Sequence, residues 1–166
     1  MALIELPHTR GCLVCGHDNP HGLHLHLKVD EETGAVYCDF TPAVHHIGFE
    51  GIIHGGLLST VLDEAMVWAA TWSGKRFCVA GEMNVRFRHS TSSGQNLRVT
   101  AAVTSARSRL IEAEAFIRDS AGKLLVEATG KYVPLGVDRH REFVATLVTE
   151  PNTTQSVAAF LDALNR

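Results

Sequence analysis

The chain has 166 residues, of which 45% are hydrophobic and 20% charged, and its formal net charge at pH 7 is −3. This length and composition predict one soluble domain with enough material for a sizeable core. The weakly acidic balance offers no basic surface for nucleic acid, and no apolar run reaches the roughly 18 residues that a membrane span requires. The first residues lack the basic and apolar regions of a signal peptide, so the four cysteines are expected to be reduced thiols in a cytoplasmic protein.

The first third of the chain predicts a loop followed by a β-hairpin. Residues 7–22 are rich in His, Gly, Cys, Pro and Asn, which is typical of irregular structure. Apolar and polar residues alternate from Leu23 to Val29, which predicts a half-buried strand with His24, His26 and Lys28 on its solvent-facing or ligand-facing side. The segments that follow are a turn over 30–34, a partner strand over Ala35–Phe40, and a loop over Thr41–Ile53 that contains His45 and His46.

One long helix and a series of strands come next. Apolar residues at helical spacing predict a helix over roughly 55–72, which Gly74 ends. Alternating patterns then predict four strands, over Met83–His89, Asn96–Ser105, Leu110–Asp119 and Leu124–Val133. This order predicts an α+β fold in which a single helix lies on one face of an antiparallel sheet.

The C-terminal part is predicted to be an extension of that fold. Residues 1–136 are interpreted as a single domain that includes the N-terminal segment. Residues 137–154 have the composition of a polar connection, and Gln155–Leu164 is compatible with a short terminal helix. The expected organisation is therefore one domain over 1–136 and an extension over 137–166.

The start of the long helix has the features of an anion site. Gly55 and Gly56 let the backbone approach a ligand closely. The first amides of a helix have no partner in the helix and lie at the positive end of its dipole, so they can hold an oxyanion. Asp63 is costly to bury on this apolar helix unless it has a task or a partner. An oxyanion site and a carboxylate together indicate acyl-transfer chemistry.

The spacing of these residues favours an active site shared between two chains. Asp63 lies off the apolar stripe of the helix, on a narrower face with Ser59, Thr60 and Val67. His54 and Asp63 are nine residues apart, which is half a turn out of register and about 13 Å along the axis. In a two-fold dimer with antiparallel helices, the Gly55 end of one helix would meet Asp63 of the other chain.

Two further features have simpler interpretations. Glu64 is interpreted as a solvated or salt-bridged helix residue. Cys12 and Cys15 form an isolated C-x-x-C pair, whereas zinc usually takes four ligands. Packing of small thiols is the favoured interpretation, and no metal is predicted. The alternatives are a small zinc site completed by nearby histidines, and a redox pair, for which the expected βαβ context is missing. The histidines near the pair are His8, His17, His21 and His24.

Several motifs over residues 11–135 resemble those of the hotdog-fold acyl-CoA thioesterases of the phenylacetic-acid-degradation type. The most specific is His54-Gly55-Gly56 with an acid nine residues after the histidine. The resemblance implies a long helix wrapped by a curved antiparallel sheet, assembled as dimers or dimers of dimers. The supporting motifs are Cys12-Leu13-Val14-Cys15-Gly16, Asn19-Pro20-His21-Gly22-Leu23, Leu62-Asp63-Glu64-Ala65-Met66 and Asn84-Val85-Arg86-Phe87-Arg88.

The resemblance also implies a role for each central residue. Asp63 would be the general base that activates water or the nucleophile that attacks the thioester. The Gly55 amide would polarise the thioester carbonyl and hold the oxyanion. His54 would shape the turn and is a candidate for contact with the thioester, so it is grouped with Asp63 and Gly55 as a catalytic residue. No cofactor is required, because coenzyme A thiolate is a good leaving group. Ala80 stands where many relatives carry a Ser or Thr that helps to hold the attacking water.

Two functions of different kinds remain open at this level. The first is an acyl-CoA thioesterase, and the second is a non-catalytic module that binds acyl-CoA or regulates, which the alanine at position 80 mildly favours. For either function, six further residues are predicted to contact the substrate. They are Gly56, Asn19, His46, Thr60, Val67 and Arg88.

Overall fold

The computed structural model describes residues 3–151 and 153–166. A seven-stranded antiparallel sheet is packed against one long helix. The α+β prediction is therefore confirmed. The helices are α1 Gly55–Gly74, α2 Val137–Val144 and α3 Gln155–Leu164, with a 3₁₀ turn at Val44–His46. The strands are β1 Leu3–Glu5, β2 His8–Thr9, β3 Lys28–Asp30, β4 Val36–Phe40, β5 Ile47–Phe49, β6 Ile52–Ile53, β7 Cys78–Phe87, β8 Leu97–Arg107, β9 Leu110–Asp119, β10 Leu124–Pro134 and β11 Leu147–Val148. The strand order in the seven-stranded sheet is β1-β3-β4-β8-β9-β10-β7, and the long helix packed on it is α1.

The core lies between α1 and the long strands of the sheet. One wide face of α1 is apolar and contacts β8, β9, β10, β7 and β4. Because this face is buried along almost the whole helix, α1 is held in a fixed position against the sheet. The buried apolar residues of α1 are Leu58, Val61, Leu62, Ala65, Met66, Trp68, Ala69, Ala70 and Trp72.

The strand β7 forms one edge of the sheet. It pairs with β10 over most of its length, and its other edge has no partner strand in the described chain. Val79 and Phe87 on this strand are 40% and 52% exposed. An unpaired edge of ten residues with exposed apolar side chains can pair with a second chain.

The predicted strand over Leu23–Val29 is mostly wrong as a strand. The alternation itself is present, since Leu25 and Leu27 are buried whereas the intervening histidines are exposed. Regular pairing begins only at Lys28, because the preceding backbone bonds to the N-terminal loop instead, with Leu25 N–H donating to the Val14 carbonyl at 2.8 Å. The alternation of buried and exposed side chains therefore arises here in an extended segment that bonds to a loop and not to a neighbouring strand.

The C-terminal extension contains more helix than predicted. Residues 137–144 form α2 rather than a polar connection, and α3 occupies the predicted terminal helix. His140 is buried, its Nδ1 accepts from the Phe77 amide at 3.0 Å, and its Nε2 bonds the Leu164 carbonyl. Phe160 of α3 stacks on Trp72 of α1 at 4.5 Å between ring centroids. These contacts form only in the folded chain, so the polar composition of residues 137–144 did not predict a helix there.

None of the helices in the described ranges combines the length and hydropathy needed to span a membrane.

Stability is expected to fall in mild acid because of His8. This side chain is only 8% exposed, and burial, reinforced by the nearby His17, lowers its pKa below the usual value. The unfolded chain therefore takes up this proton at a higher pH than the folded chain, so stability is lost as the pH falls below about 6.5. Urea midpoints measured between about pH 8 and pH 5 should show a weaker pH dependence in His8→Gln, whereas His21→Gln, at an exposed position, should follow the wild type.

Candidate active site

At the N-terminus of α1, the backbone amide of Gly56 donates a hydrogen bond within the described part of the chain, whereas that of Gly55 does not. His54 is the N-cap residue, with extended backbone, and its Nδ1 accepts from the Gly56 amide at 2.9 Å. No acceptor for the Gly55 amide occurs among the described residues. The ring of His54 therefore caps the helix, while Gly55 has the donor available for a ligand oxygen.

An apolar cavity of about 360 Å³ opens at this helix end. Phe49, 80% exposed, and Phe87, 52% exposed, lie in its wall. A Cβ atom on Gly55 would come within 3.1 Å of the Phe87 ring, so the glycine lets this ring lie against the first turn. The cavity joins a polar donor to aromatic surface, which suits a ligand with a carbonyl group and an apolar chain. Its lining also includes Ile52, His54, Leu58 and Arg88.

Asp63 is held by a buried tyrosine of the sheet. The hydroxyl of Tyr132 on β10 donates to Asp63 Oδ1 at 2.8 Å, and the Tyr132 side chain is fully buried. A Cβ atom on Gly130 would lie 2.6 Å from the Tyr132 ring, so glycine is required there to admit the ring. Burial, together with the charge of Asp63, raises the pKa of Tyr132, which keeps the phenol protonated and able to donate. No protein donor to Asp63 Oδ2 is found in the described chain, so that oxygen can accept from water or attack a substrate.

Tyr132 lies opposite Ala80, the position that lacks the expected hydroxyl. The two residues are Cα partners in the β10–β7 ladder, just after an irregularity in the register. Directly opposed residues present their side chains on the same face of a sheet, so the Tyr132 side chain begins beside Ala80. Its hydroxyl reaches along β10, to 3.0 Å from the place that a Cβ atom on Gly130 would occupy. The sequence had no signal for this contact, because Tyr132 is 69 residues from Asp63.

The other residues predicted to contact the substrate are dispersed. Thr60 donates its hydroxyl to the Gly56 carbonyl at 2.9 Å, and Ser59 donates to the Gly55 carbonyl at the same distance. Both hydroxyls are thus used within the helix. Val67 is half-buried one turn beyond Asp63. Arg88 lines the cavity and also pairs with Glu127 at 2.6 Å.

Asn19 and His46 do not line the cavity beside Gly55. Asn19 organises the N-terminal loop: its Oδ1 accepts from the His21 amide and its Nδ2 donates to the Gly11 carbonyl. His46 Nδ1 accepts from the Ala43 amide at 3.0 Å, and burial, with His45 beside it, lowers the pKa of His46. Within one chain these two side chains have roles in loop structure.

The interpretation of Glu64 as a solvated or salt-bridged residue is wrong. Its Oε1 accepts from Trp68 Nε1 at 3.1 Å, and Cys12 Sγ lies 3.7 Å from the same oxygen. Burial, and then the charge of Cys12, raises the pKa of Glu64 to about 7. A hydrogen bond from Cys15 is the main cause that lowers the pKa of Cys12, to about 5. The sequence missed this cluster because the loop that carries the cysteines folds onto the helix only in three dimensions.

The residues around the helix start match a known family. A family model described as the thioesterase superfamily matches residues 50–126, a range that includes the His54-Gly55-Gly56 turn, Asp63 and the strands from β7 to β9. This part of the chain is therefore similar to the thioesterase superfamily. The predicted resemblance is confirmed. Among curated proteins, no sequence matches the chain.

Solved structures of thioesterase-superfamily proteins share the hotdog fold of this chain. A crystal structure of a thioesterase superfamily protein is 25% identical, with a TM-score of 0.69, and the match covers 75% of this chain and 60% of that one. The PaaI protein of the E. coli phenylacetic acid degradation operon is 21% identical, with a TM-score of 0.63 over 69% of this chain and 81% of its own. A Streptococcus mutans protein bound to acetyl-CoA is 16% identical, with a TM-score of 0.62 over 68% of this chain and 89% of its own. The last two, at these identities, support the fold alone.

Removing the Tyr132 hydroxyl is expected to lower the rate of any hydrolysis in which Asp63 takes part. Tyr132→Phe removes the hydrogen bond of 2.8 Å to Asp63 but keeps the buried ring. The Asp63 carboxylate should therefore stay at the same position but be less well oriented. We expect kcat to fall about tenfold and stability to fall by about 1 kcal/mol, the usual net value of one hydrogen bond. Tyr37→Phe, which removes a hydroxyl from the half-buried side chain on β4, is the matched control and should keep the wild-type rate. Equal rates in Tyr132→Phe and the wild type would show that the tyrosine has no part in orienting Asp63.

Proposed function

We propose that this protein is an acyl-CoA thioesterase, in which the hotdog domain hydrolyses a thioester to a free acid and coenzyme A. The observation that carries the proposal is the oriented carboxylate: Asp63 accepts from the buried Tyr132 hydroxyl through one oxygen and keeps the other available. The match to the thioesterase superfamily supports a thioester as the substrate class. The unoccupied Gly55 amide supports acyl transfer, because it is a donor for a developing oxyanion.

We propose further that each active site is built from two chains. Gly55 and Asp63 lie on one continuous helix, eight residues and about 12 Å apart, so one chain cannot bring both to a single carbonyl carbon. The unpaired edge of β7 and its exposed apolar side chains support association of two such chains. In a two-fold dimer, Gly55 of each chain would face Asp63 of its partner.

Two routes of hydrolysis are consistent with this arrangement. In the first, Asp63 takes a proton from water as the water oxygen bonds to the carbonyl carbon, and the Gly55 N–H holds the resulting oxyanion. The carbon–sulfur bond then breaks, and the coenzyme A thiolate receives the proton. In the second, Asp63 itself attacks the carbonyl carbon, the carbon–sulfur bond breaks and the coenzyme A thiolate leaves. Water then hydrolyses the mixed anhydride, which frees the acid, restores the Asp63 carboxylate and releases the proton that the thiolate takes up. Both routes need the same two groups, so the same variants test them.

The purified chain should hydrolyse at least one member of a broad panel of acyl-CoA thioesters. The assay follows loss of thioester absorbance, because a thiol reagent would also report the protein cysteines. The panel spans short, long and aromatic acyl groups and includes acyl carrier protein thioesters. Saturable binding of acyl-CoA without turnover would instead identify a non-catalytic binding module, and the absence of both would overturn the proposed substrate class.

A further inference from the structure

We propose that Cys12, Cys15 and Glu64 form a zinc site that fastens the N-terminal loop to the long helix α1. The two thiol sulfurs and a carboxylate oxygen of Glu64 all lie within 4.8 Å of one another. Thiolate sulfur is a preferred donor for Zn²⁺, and a carboxylate oxygen is an accepted third ligand. The site lies outside the residues to which the hydrolysis of a thioester is assigned above.

The separation between the Cys12 sulfur and the Glu64 carboxylate matches that around a tetrahedral zinc ion. Cys12 Sγ lies 3.7 Å from Glu64 Oε1 and 3.8 Å from Oε2. A Zn–S bond of about 2.3 Å and a Zn–O bond of about 2.1 Å, at a tetrahedral angle, place sulfur and oxygen about 3.6 Å apart. Zinc could therefore enter with little movement of either side chain.

The loop around Cys12 is shaped to stabilise a thiolate. The amides of Val14 and Cys15 both donate to Cys12 Sγ, at 3.3 and 3.4 Å. The chain then turns so tightly that a Cβ atom on Gly16 would lie 2.4 Å from the Cys12 backbone nitrogen. The glycine after the second cysteine is therefore required by the turn that presents both sulfurs. Mere packing of two small thiols does not require two amides aimed at one sulfur.

Glu64 is also held as a ligand would be. Trp68, one turn further along α1, donates its Nε1–H to Glu64 Oε1 and fixes the carboxylate plane. Such hydrogen bonds to a ligating carboxylate commonly orient metal ligands. The histidines considered from the sequence are engaged elsewhere: His17 stacks on His8 and lies 3.4 Å from Glu150, and His24 bonds the Asn19 carbonyl.

The ion has a route of entry and an open position. Cys12 is partly exposed and lines a cavity of about 740 Å³, whereas Cys15 is buried behind it. Three protein ligands occur in the cluster within the described chain, so a water molecule from the cavity would complete four-fold coordination. Because Glu64 adjoins Asp63 in the chain, zinc here would also fix the helix turn that bears the proposed catalytic carboxylate.

Metal titration of the full-length protein tests the site directly. Chelator-treated, reduced protein should bind one Co²⁺ per chain with the intense charge-transfer absorption of cobalt–thiolate bonds, and Zn²⁺ should displace it. We expect Cys12→Ser to lose this absorption, and Glu64→Gln and Trp68→Phe to bind at least about tenfold more weakly. Cys78→Ser removes a buried cysteine that bonds the Arg76 carbonyl instead, and it should bind like the wild type.

The melting temperature supplies a second measurement that does not depend on absorption. Saturating Zn²⁺ should raise Tm of the wild type and of Cys78→Ser but not of Cys12→Ser, because only a ligand that binds the folded chain stabilises it. The proposal is overturned if the wild type shows no cobalt–thiolate absorption, or if Cys78→Ser binds as weakly as Cys12→Ser. Formation of a Cys12–Cys15 disulfide with oxidised glutathione, without metal uptake, would assign the pair to thiol exchange instead. None of these outcomes depends on whether the protein hydrolyses thioesters.

Discussion

Replacing Asp63 with asparagine is expected to lower kcat for thioester hydrolysis by about a thousandfold, with little change in the folded structure. The amide has the size of the carboxylate, and its oxygen can still accept from the Tyr132 hydroxyl. It cannot take a proton from water, nor can it attack the thioester, so either route of hydrolysis is lost. General base catalysis commonly contributes about 10²- to 10⁴-fold to a rate, which sets the expected loss.

The measurement is steady-state hydrolysis of the best substrate of the panel, with circular dichroism and the oligomeric state as checks of folding. Asp162→Asn on α3 makes the same chemical change at an exposed position and should retain the wild-type rate. Full activity in Asp63→Asn would exclude Asp63 as base or nucleophile, and the assignment of the active site would then fail with it.

Replacing Gly55 with proline should abolish most of the activity, whereas replacing it with alanine should not. Proline removes the single N–H that is proposed to hold the oxyanion, and the first position of a helix tolerates proline well. His54 is already extended, with φ −61° and ψ 126°, as the residue before proline must be. Alanine keeps the N–H and adds the same Cβ atom near the Phe87 ring, so it controls for crowding. Loss of one oxyanion donor typically lowers kcat by about 10²- to 10³-fold.

A mixture of two inactive variants tests whether two chains share each site. A dimer of one Asp63→Asn chain and one Gly55→Pro chain contains one site with both wild-type groups and one site with neither. Refolding equal amounts together should therefore recover about a quarter of the wild-type rate per chain, since half of the dimers are mixed. If each site lay within one chain, the mixture would remain inactive, and that result would refute the shared site.

The sequence predicted the architecture because the long elements have strong periodic patterns. The helix α1 and the strands β8, β9 and β10 lie within two residues of their predicted ends, since each has a continuous face against the core. Prediction was poorest in the N-terminal segment and the C-terminal extension. There, Leu25 bonds the backbone of the cysteine loop, and His140 bonds backbone groups of Phe77 and Leu164. Local pattern cannot report such long-range bonds.

The sequence by itself determined an α+β fold with one long helix on an antiparallel sheet, and the pairing of a glycine helix start with a carboxylate, because both follow from residues close together in the chain. Only the tertiary structure decided what surrounds that carboxylate. Tyr132 reaches Asp63 across 69 positions, and Cys12 reaches Glu64 across 52. The packing of α1 on the sheet and beneath the N-terminal loop brings these partners together. Burial of Tyr132 then strengthens its hydrogen bond to Asp63, because water competes less for the same donor and acceptor.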